Sequence, residues 1–259
     1  MTVLETLLLL GIAPLLILAI VLVAEVRGAF RRDALADPLR KALALGLLYT
    51  LLVVLVILPA AGAVSGPVDV SQISFWQVFN LHFLMVLFLA CWWALAGAPD
   101  PRVFLGLAGG GRLRALKLGV RAGLLGWGLT LVTGVASQLL VRLLGNDEDA
   151  STPPLVGWIA ALAPWQKVLV VLSAMTVEEV LFRGFLQPRV GAASATILFL
   201  LVHSGYGDPL YLVGLLPISI VLASLYEETQ GTLAPMVAHG VFDAIQLFVV
   251  LPLATRIPA

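Results

Sequence analysis

The chain has 259 residues, of which 61% are hydrophobic and only 12% are charged, and fifteen basic residues balance fifteen acidic ones. Soluble domains carry about 25% charged residues, so a soluble protein is excluded, and the zero net charge argues against a nucleic-acid partner. One cysteine, Cys91, excludes an internal disulfide framework. The composition therefore indicates a polytopic membrane protein that is embedded in a lipid bilayer.

Eight stretches of the chain are apolar enough to cross a bilayer, which takes about 20 mostly apolar residues. We predict spans near residues 4–24, 43–64, 76–97, 118–141, 165–187, 192–206, 209–226 and 231–254. Ionisable residues interrupt the last four, and we expect one or two of these to be short or broken. The predicted fold is an all-α bundle of about eight transmembrane helices. It forms one integral membrane domain, with a motif-free part (1–150) and a C-terminal core (151–259).

Basic residues in the short loops predict the orientation, because loops rich in Lys and Arg stay in the cytoplasm. The loop after the second span has no basic residue, whereas those after the first and third spans carry Arg27, Arg31, Arg32, Arg40 and Lys41, and Arg102, Arg112, Arg114 and Lys117. This alternation predicts that both termini lie outside. The preference for Arg over Lys and the many Ala, Leu and Gly residues are typical of a GC-rich bacterium, so we expect the bacterial cytoplasmic (inner) membrane.

Ionisable side chains lie inside the fifth, sixth and eighth predicted spans, where each charge costs about 2.5–3.5 kcal/mol on insertion scales. They are Glu178, Glu179, Arg183, His203, His239 and Asp243. Because such groups must pair, stay neutral or line a wet cavity, we predict that they form one cluster. Residues four apart share a helix face, so Glu179 should neutralise Arg183 and leave Glu178 to face a cavity. The same spacing places His239 and Asp243 on one helix face, so that both side chains can reach the same point.

Histidines and carboxylates in one cluster suit two kinds of hydrolysis. In one, a glutamate takes a proton from water and a histidine orients or shares that proton. In the other, His and carboxylate ligands bind a zinc ion that acidifies the water. A purely structural set of hydrogen bonds between spans is a third interpretation. His82 in the third span has no motif partner, and we interpret it as a structural residue.

Three short motifs occur in this order inside the apolar spans. Residues 178–183 (EEVLFR) match EExxxR, residues 199–203 (FLLVH) match FxxxH, and residues 239–243 (HGVFD) match HxxxN/D. Together they resemble the CPBP family of intramembrane proteases, which includes the type II CAAX prenyl proteases and the Abi-type bacteriocin-immunity proteins. The resemblance covers about residues 160–250 and leaves the first four spans without a motif.

The resemblance implies an endopeptidase of glutamic or metallo type that cleaves a protein or peptide substrate in or near the membrane. It implies that Glu178 activates water with His203 as its partner. It further implies that His239 and Asp243 stabilise the oxyanion or, with Glu178 and His203, hold a divalent metal such as zinc. Arg183 would be the structural counter-ion of Glu179.

The last motif of the family often ends in Asn, where this chain has Asp243. An Asp side chain donates a hydrogen bond to an oxyanion only when it is protonated, but it is a reasonable ligand for a divalent metal. The sequence therefore leaves both the metal-free and the metal-dependent mechanism open. It also leaves two other functions open. The protein would then be a catalytically idle scaffold or bacteriocin-immunity protein, or a proton-coupled transporter.

Overall fold

The computed structural model describes residues 11–33, 35, 37–64, 70–109, 111–144, 154–206 and 209–254. In these ranges the chain is helical and contains no strand. Two short helices, Pro101–Phe104 and Pro154–Ala160, lie between longer ones. Eight other helices in these ranges correspond in position to the predicted spans. They are α1 (Ala13–Val26), α2 (Pro38–Val64), α3 (Asn80–Leu95), α4 (Arg112–Leu143), α5 (beginning as Pro164–Ser173), α6 (Ala192–Val202), α7 (Pro209–Thr229) and α8 (beginning as Leu233–Ile245). Both termini, whose side of the membrane is predicted above, lie outside the described residues.

Two of the helices change their geometry along their length. α5 continues as two π-helical segments, Ala174–Glu178 and Val180–Leu186, and ends with the turn Gln187–Val190. α8 continues as the π-helical segment Gln246–Val250 and the turn Leu251–Ala254. The sequence predicts breaks in this half of the chain, and the structure shows them as π segments and as the short helix α6.

Five helical stretches in the described ranges are long and apolar enough to cross a membrane, by length and composition. They are Pro38–Pro59, Phe75–Leu95, Arg112–Leu143, Tyr211–Thr229 and Leu233–Leu253. Ala13–Val26 and Ala192–Val202 are apolar but shorter. Large apolar side chains also cover the outer face of α4, where Leu125 is 58% and Val132 65% exposed. Monomeric soluble proteins seldom expose such surfaces, and the predicted helical membrane bundle is confirmed.

The helix α4 begins six residues before the span predicted near 118–141. Its first turns include Arg112, Arg114 and Lys117. The sequence instead predicts that these residues lie in the loop after the third span. Long basic side chains at a helix end can extend toward the membrane surface while their aliphatic parts stay on apolar surface. Charge therefore marks the end of the apolar stretch but does not mark the end of the helix.

Glycines on one face of α4 let its backbone approach α7 and α8. A Cβ atom on Gly119 would lie 2.6 Å from the Cβ of Val237, and one on Gly123 would lie 2.6 Å from the carbonyl oxygen of Ala238. Small residues at such contacts allow the close van der Waals packing that holds membrane helices together. The motif-free helix α4 thereby supports the helix that carries His239.

The cytoplasmic end of α5, in the predicted orientation, is fixed by a buried ion pair. Arg189 Nε donates to Asp33 Oδ2 at 2.9 Å, and Arg189 Nη1 donates to the carbonyl oxygen of Phe185 at 2.6 Å. The guanidinium also lies over the Phe185 ring, 4.0 Å from its centre, a favourable cation–π arrangement. The segment after α1 is thereby tied to the helix of the first motif.

Candidate active site

The first motif lies where α5 leaves α geometry. Glu178 ends one π-helical segment, and Glu179 immediately precedes the next. Such segments are rare and occur often at functional sites. Successive side chains on a helix point in different directions, about 100° apart. The two adjacent carboxylates therefore meet different neighbours.

Glu179 belongs to a buried group that we call the Glu179 cluster (Glu179, Arg183, His239 and Ser219). Its Oε2 atom lies 3.4 Å from Arg183 Nε, and its Oε1 atom lies 2.8 Å from His239 Nδ1. Arg183 Nη2 donates to Ser219 Oγ of α7 at 3.3 Å. The predicted ion pair between Glu179 and Arg183 is present, and residues of α7 and α8 join it.

The predicted pair of His239 and Asp243 is also present. His239 Nε2 lies 3.4 Å from Asp243 Oδ2, as the spacing of four residues on α8 predicts. An ionised Glu179 can only accept hydrogen bonds, so His239 Nδ1 carries a hydrogen in this state. Glu179 thereby orients the imidazole ring, with its Nε2 atom toward Asp243.

Glu178 belongs to a second group, the Glu178 cluster (Glu178, His82, Ser173 and His203). Its Oε1 atom lies 3.0 Å from His82 Nε2. Its Oε2 atom lies 3.8 Å from His203 Nε2 and is buried without a hydrogen-bond partner. No arginine or lysine belongs to this cluster, so the carboxylate of Glu178 lies between two imidazoles.

The orientation of His203 is set by its own helix. His203 caps the C-terminal end of α6, and its Nδ1 atom lies 2.8 Å from the carbonyl oxygen of Phe199. A carbonyl oxygen only accepts, so Nδ1 carries the hydrogen, and in the neutral imidazole Nε2 is an acceptor facing Glu178. The Phe199 ring lies 4.4 Å from that of His203 and 6.2 Å from that of His239, centre to centre. The first residue of the second motif thus packs between the two histidines.

His82 contacts Glu178, although it belongs to no motif and the sequence predicts only a structural role for it. Besides its contact with Glu178, its Nδ1 atom lies 2.8 Å from Ser173 Oγ of α5. The two residues of the Glu178–His82 contact are 96 positions apart in the chain, so no local pattern could reveal it. The general rule that an ionisable residue inside a span is a functional candidate would have included His82.

The four candidate metal ligands, Glu178, His203, His239 and Asp243, do not converge on one point. Among the described residues, no group of three or more His, Cys, Asp or Glu side chains is arranged to hold a metal ion. His239 directs its two nitrogens to Glu179 and Asp243. Because this arrangement does not fit a metal ion, the mechanism that we propose uses none.

Residues 160–245 match the family described as type II CAAX prenyl endopeptidase Rce1-like. This segment is similar to that family, and we call it the Rce1-like segment. It contains all three motifs, and the resemblance predicted from them is confirmed. The Rce1-like segment begins after α4, so His82 and the glycines of α4 lie outside it.

The chain is also similar to the uncharacterized protein YpbD of Bacillus subtilis (strain 168). The two are 34% identical over 79 residues, which cover 30% of this chain and 42% of YpbD. The chain thus matches less than half the length of this relative. No solved structure matches the chain. The similarity to a described family therefore rests on the Rce1-like segment.

Proposed function

We propose that the protein is an intramembrane endopeptidase that hydrolyses a peptide bond of a membrane-associated or lipid-modified protein. The observation that carries the proposal is the position of Glu178 Oε2. It is a buried carboxylate oxygen without a hydrogen bond, 3.8 Å from the Nε2 atom of His203. The description of the matching family as an endopeptidase supports the same class of reaction.

In this proposal Glu178 is the general base. A water molecule can donate one hydrogen to Glu178 Oε2 and the other to His203 Nε2, because the gap between these two acceptors suits a bridging molecule. Glu178 takes a proton as the water oxygen attacks the carbonyl carbon of the substrate, and it later gives the proton to the leaving amine. Positioned general bases of this kind contribute about 10²- to 10⁴-fold to the rate.

The Glu179 cluster supplies the other side of the proposed site. Glu179 holds the ring of His239, and His239 lies beside Asp243. A protonated His239 Nε2 or a protonated Asp243 could donate to the oxyanion of the tetrahedral intermediate, and loss of one such donor costs about 10²- to 10³-fold in other enzymes. Arg183 pairs with Glu179 and does not touch the substrate in this scheme.

We assign the protein to the bacterial inner membrane, with the basic ends of α2 and α4 in the cytoplasm and both termini outside. The support is the alternation of basic loops in the sequence. The substrate is then a protein that reaches this bilayer through a hydrophobic segment or a lipid modification. Cysteine labelling from each side of the membrane, in a Cys91→Ser background, tests this orientation.

The proposal is tested by comparing the membrane proteome of cells with the wild-type protein and cells with Glu178→Ala. We expect uncleaved precursors of one or a few membrane-associated proteins to accumulate in the variant. The same precursors should be cleaved by purified wild-type protein and should stay intact with Glu178→Gln. Identical proteomes, together with no cleavage of any peptide in a library, would contradict the proposal and favour an idle scaffold.

A further inference from the structure

His82 connects the candidate general base to a helix that carries no family motif. It is the third residue of α3, and its side chain is 12% exposed. Both of its polar contacts go to α5: Nε2 lies 3.0 Å from Glu178 Oε1, and Nδ1 lies 2.8 Å from Ser173 Oγ. One imidazole thus spans two residues of the same helix, on the side where Glu178 lies.

The direction of these hydrogen bonds follows from the donors and acceptors available. A general base must be ionised before it takes a proton, and an ionised Glu178 only accepts hydrogen bonds. His82 Nε2 therefore carries the hydrogen, and in the neutral ring Nδ1 accepts from the hydroxyl of Ser173. The result is a chain of donors that runs from Ser173 through His82 to Glu178.

This chain makes the two oxygens of Glu178 unequal. Rotation about the last side-chain bond of a glutamate is soft and roughly two-fold, so a carboxylate held by nothing else can exchange its oxygens. A hydrogen bond from His82 to Oε1 stops this rotation and leaves Oε2 beside His203. Water then meets one carboxylate oxygen in a fixed position.

We propose that His82, held by Ser173, is a positioning residue that fixes Glu178 for water activation; this rests on the proposed endopeptidase function. His82 acts through Glu178 and does not touch the reacting atoms. Its loss should lower kcat and leave KM nearly unchanged, because the substrate does not contact it. A residue that only joins α3 to α5 would instead lower the thermal stability without this selective effect on kcat.

The kinetic test uses the purified full-length protein and a precursor peptide that the wild type cleaves. His82→Leu should lower kcat by about 10- to 100-fold, the range for losing a hydrogen bond to a charged group, with KM within about twofold. His82→Gln should recover part of this loss, because its amide can still donate to Glu178. Ser173→Ala should have a smaller effect in the same direction. Phe83→Leu, a change of the exposed neighbour on α3, is the matched control.

A spectroscopic test does not depend on activity. The chain has three histidines, so ¹⁵N-histidine labelling gives three imidazoles, each assigned by one substitution. We expect His82 to carry its hydrogen on Nε2 and His203 on Nδ1, which are opposite tautomers. Ser173→Ala and Glu178→Gln should each shift the His82 signals more than Phe83→Leu shifts them.

The outcomes separate the two proposals. A wild type that cleaves, with kcat unchanged in His82→Leu or with the hydrogen of His82 on Nδ1, would overturn the role of His82 alone. A loss of activity in His82→Leu that His82→Gln fails to recover and that parallels a loss of thermal stability would also overturn it. If the wild type cleaves no precursor, the endopeptidase function is overturned. The catalytic role of His82 is then overturned with it, even if the His82 hydrogen lies on Nε2 and the hydrogen-bond chain is present.

Discussion

Glu178 and Glu179 are adjacent residues of the same type, yet they lie in clusters of different character. Glu179 is completely buried against Arg183, a permanent cation, at 3.4 Å. Glu178 is also buried, and the ion-pair contacts of its carboxylate with described residues are to the imidazoles of His82 and His203. Arginine can only donate hydrogen bonds, whereas a neutral imidazole both donates and accepts them. The comparison teaches that two adjacent buried glutamates can have partners of different chemistry, and the proposed division of their roles follows from those partners.

The largest expected effect comes from Glu178→Gln, which tests the reactive half of this comparison. We expect the cleavage rate to fall by about 10²- to 10⁴-fold, because an amide cannot take the proton of water. The melting temperature should change little, since the amide oxygen can still accept from His82. Initial rates on a precursor peptide and thermal unfolding in detergent measure both effects. Retention of the wild-type rate would remove Glu178 from the mechanism.

The same substitution one residue later should act on stability. Glu179→Gln leaves the buried Arg183 without its counter-ion, and removal of one partner of a buried ion pair costs about 3–5 kcal/mol. Equilibrium unfolding with a denaturing detergent measures this cost. The double variant Glu179→Gln with Arg183→Met should recover part of the loss, because no unpaired charge is then buried. A stable Glu179→Gln beside an unfolded Glu178→Gln would reverse the two roles.

A substitution on α4 can disturb the Glu179 cluster without touching its charges. Gly123→Leu places side-chain atoms against the Ala238 backbone, one residue before His239, and overpacking costs about 1–3 kcal/mol. We expect lower stability and a displaced His239. Gly128→Leu on the same helix is the control, because a Cβ there has no neighbour within 4 Å. Equal losses in the two variants would show that the effect is one of composition and not of packing.

The effect of burial on the strength of an ion pair can be tested with an exposed pair. Its charged atoms are as far apart as those of Glu179 and Arg183. Arg114 Nη2 lies 3.4 Å from Glu228 Oε1, and both side chains are more than half exposed. Solvent-exposed pairs contribute about 0–1 kcal/mol, so Glu228→Gln should change the unfolding free energy far less than Glu179→Gln. Comparable losses from the two substitutions would mean that burial does not set the cost at Glu179.

The smallest expected effect is that of metal removal. Because the described side chains offer no group of three or more metal ligands, we expect cleavage to continue after treatment with a chelator. Elemental analysis of the treated protein must accompany the assay. Loss of activity that a single divalent metal restores would establish the metallo-type mechanism left open by the sequence.

The sequence predicts those parts of the site that lie within one helix. The pairs Glu179–Arg183 and His239–Asp243 follow from a spacing of four residues, and both are present. The helical class and the order of the apolar helices follow from the apolar stretches of the sequence. These features depend only on local geometry and on the thickness of the bilayer.

Contacts between helices could not be predicted in the same way. Most lipid-facing and most helix-facing residues of a membrane bundle are apolar, so hydropathy does not tell which faces meet. The contacts of His82 with Glu178 and of Glu179 with His239 cross between helices, and the motifs fix neither. The sequence predicts a break in this half of the chain but does not predict the π segments of α5, next to which the two glutamates lie.

The position of the Rce1-like segment has a consequence for protein engineering. A chimera that placed residues 160–245 on a foreign set of N-terminal helices would carry every family motif. It would lack His82, and it would lack the glycine surface of α4 against which α8 packs. A transplant that keeps the geometry of both clusters must therefore begin before α3, so the smallest portable unit is about twice as long as the family match.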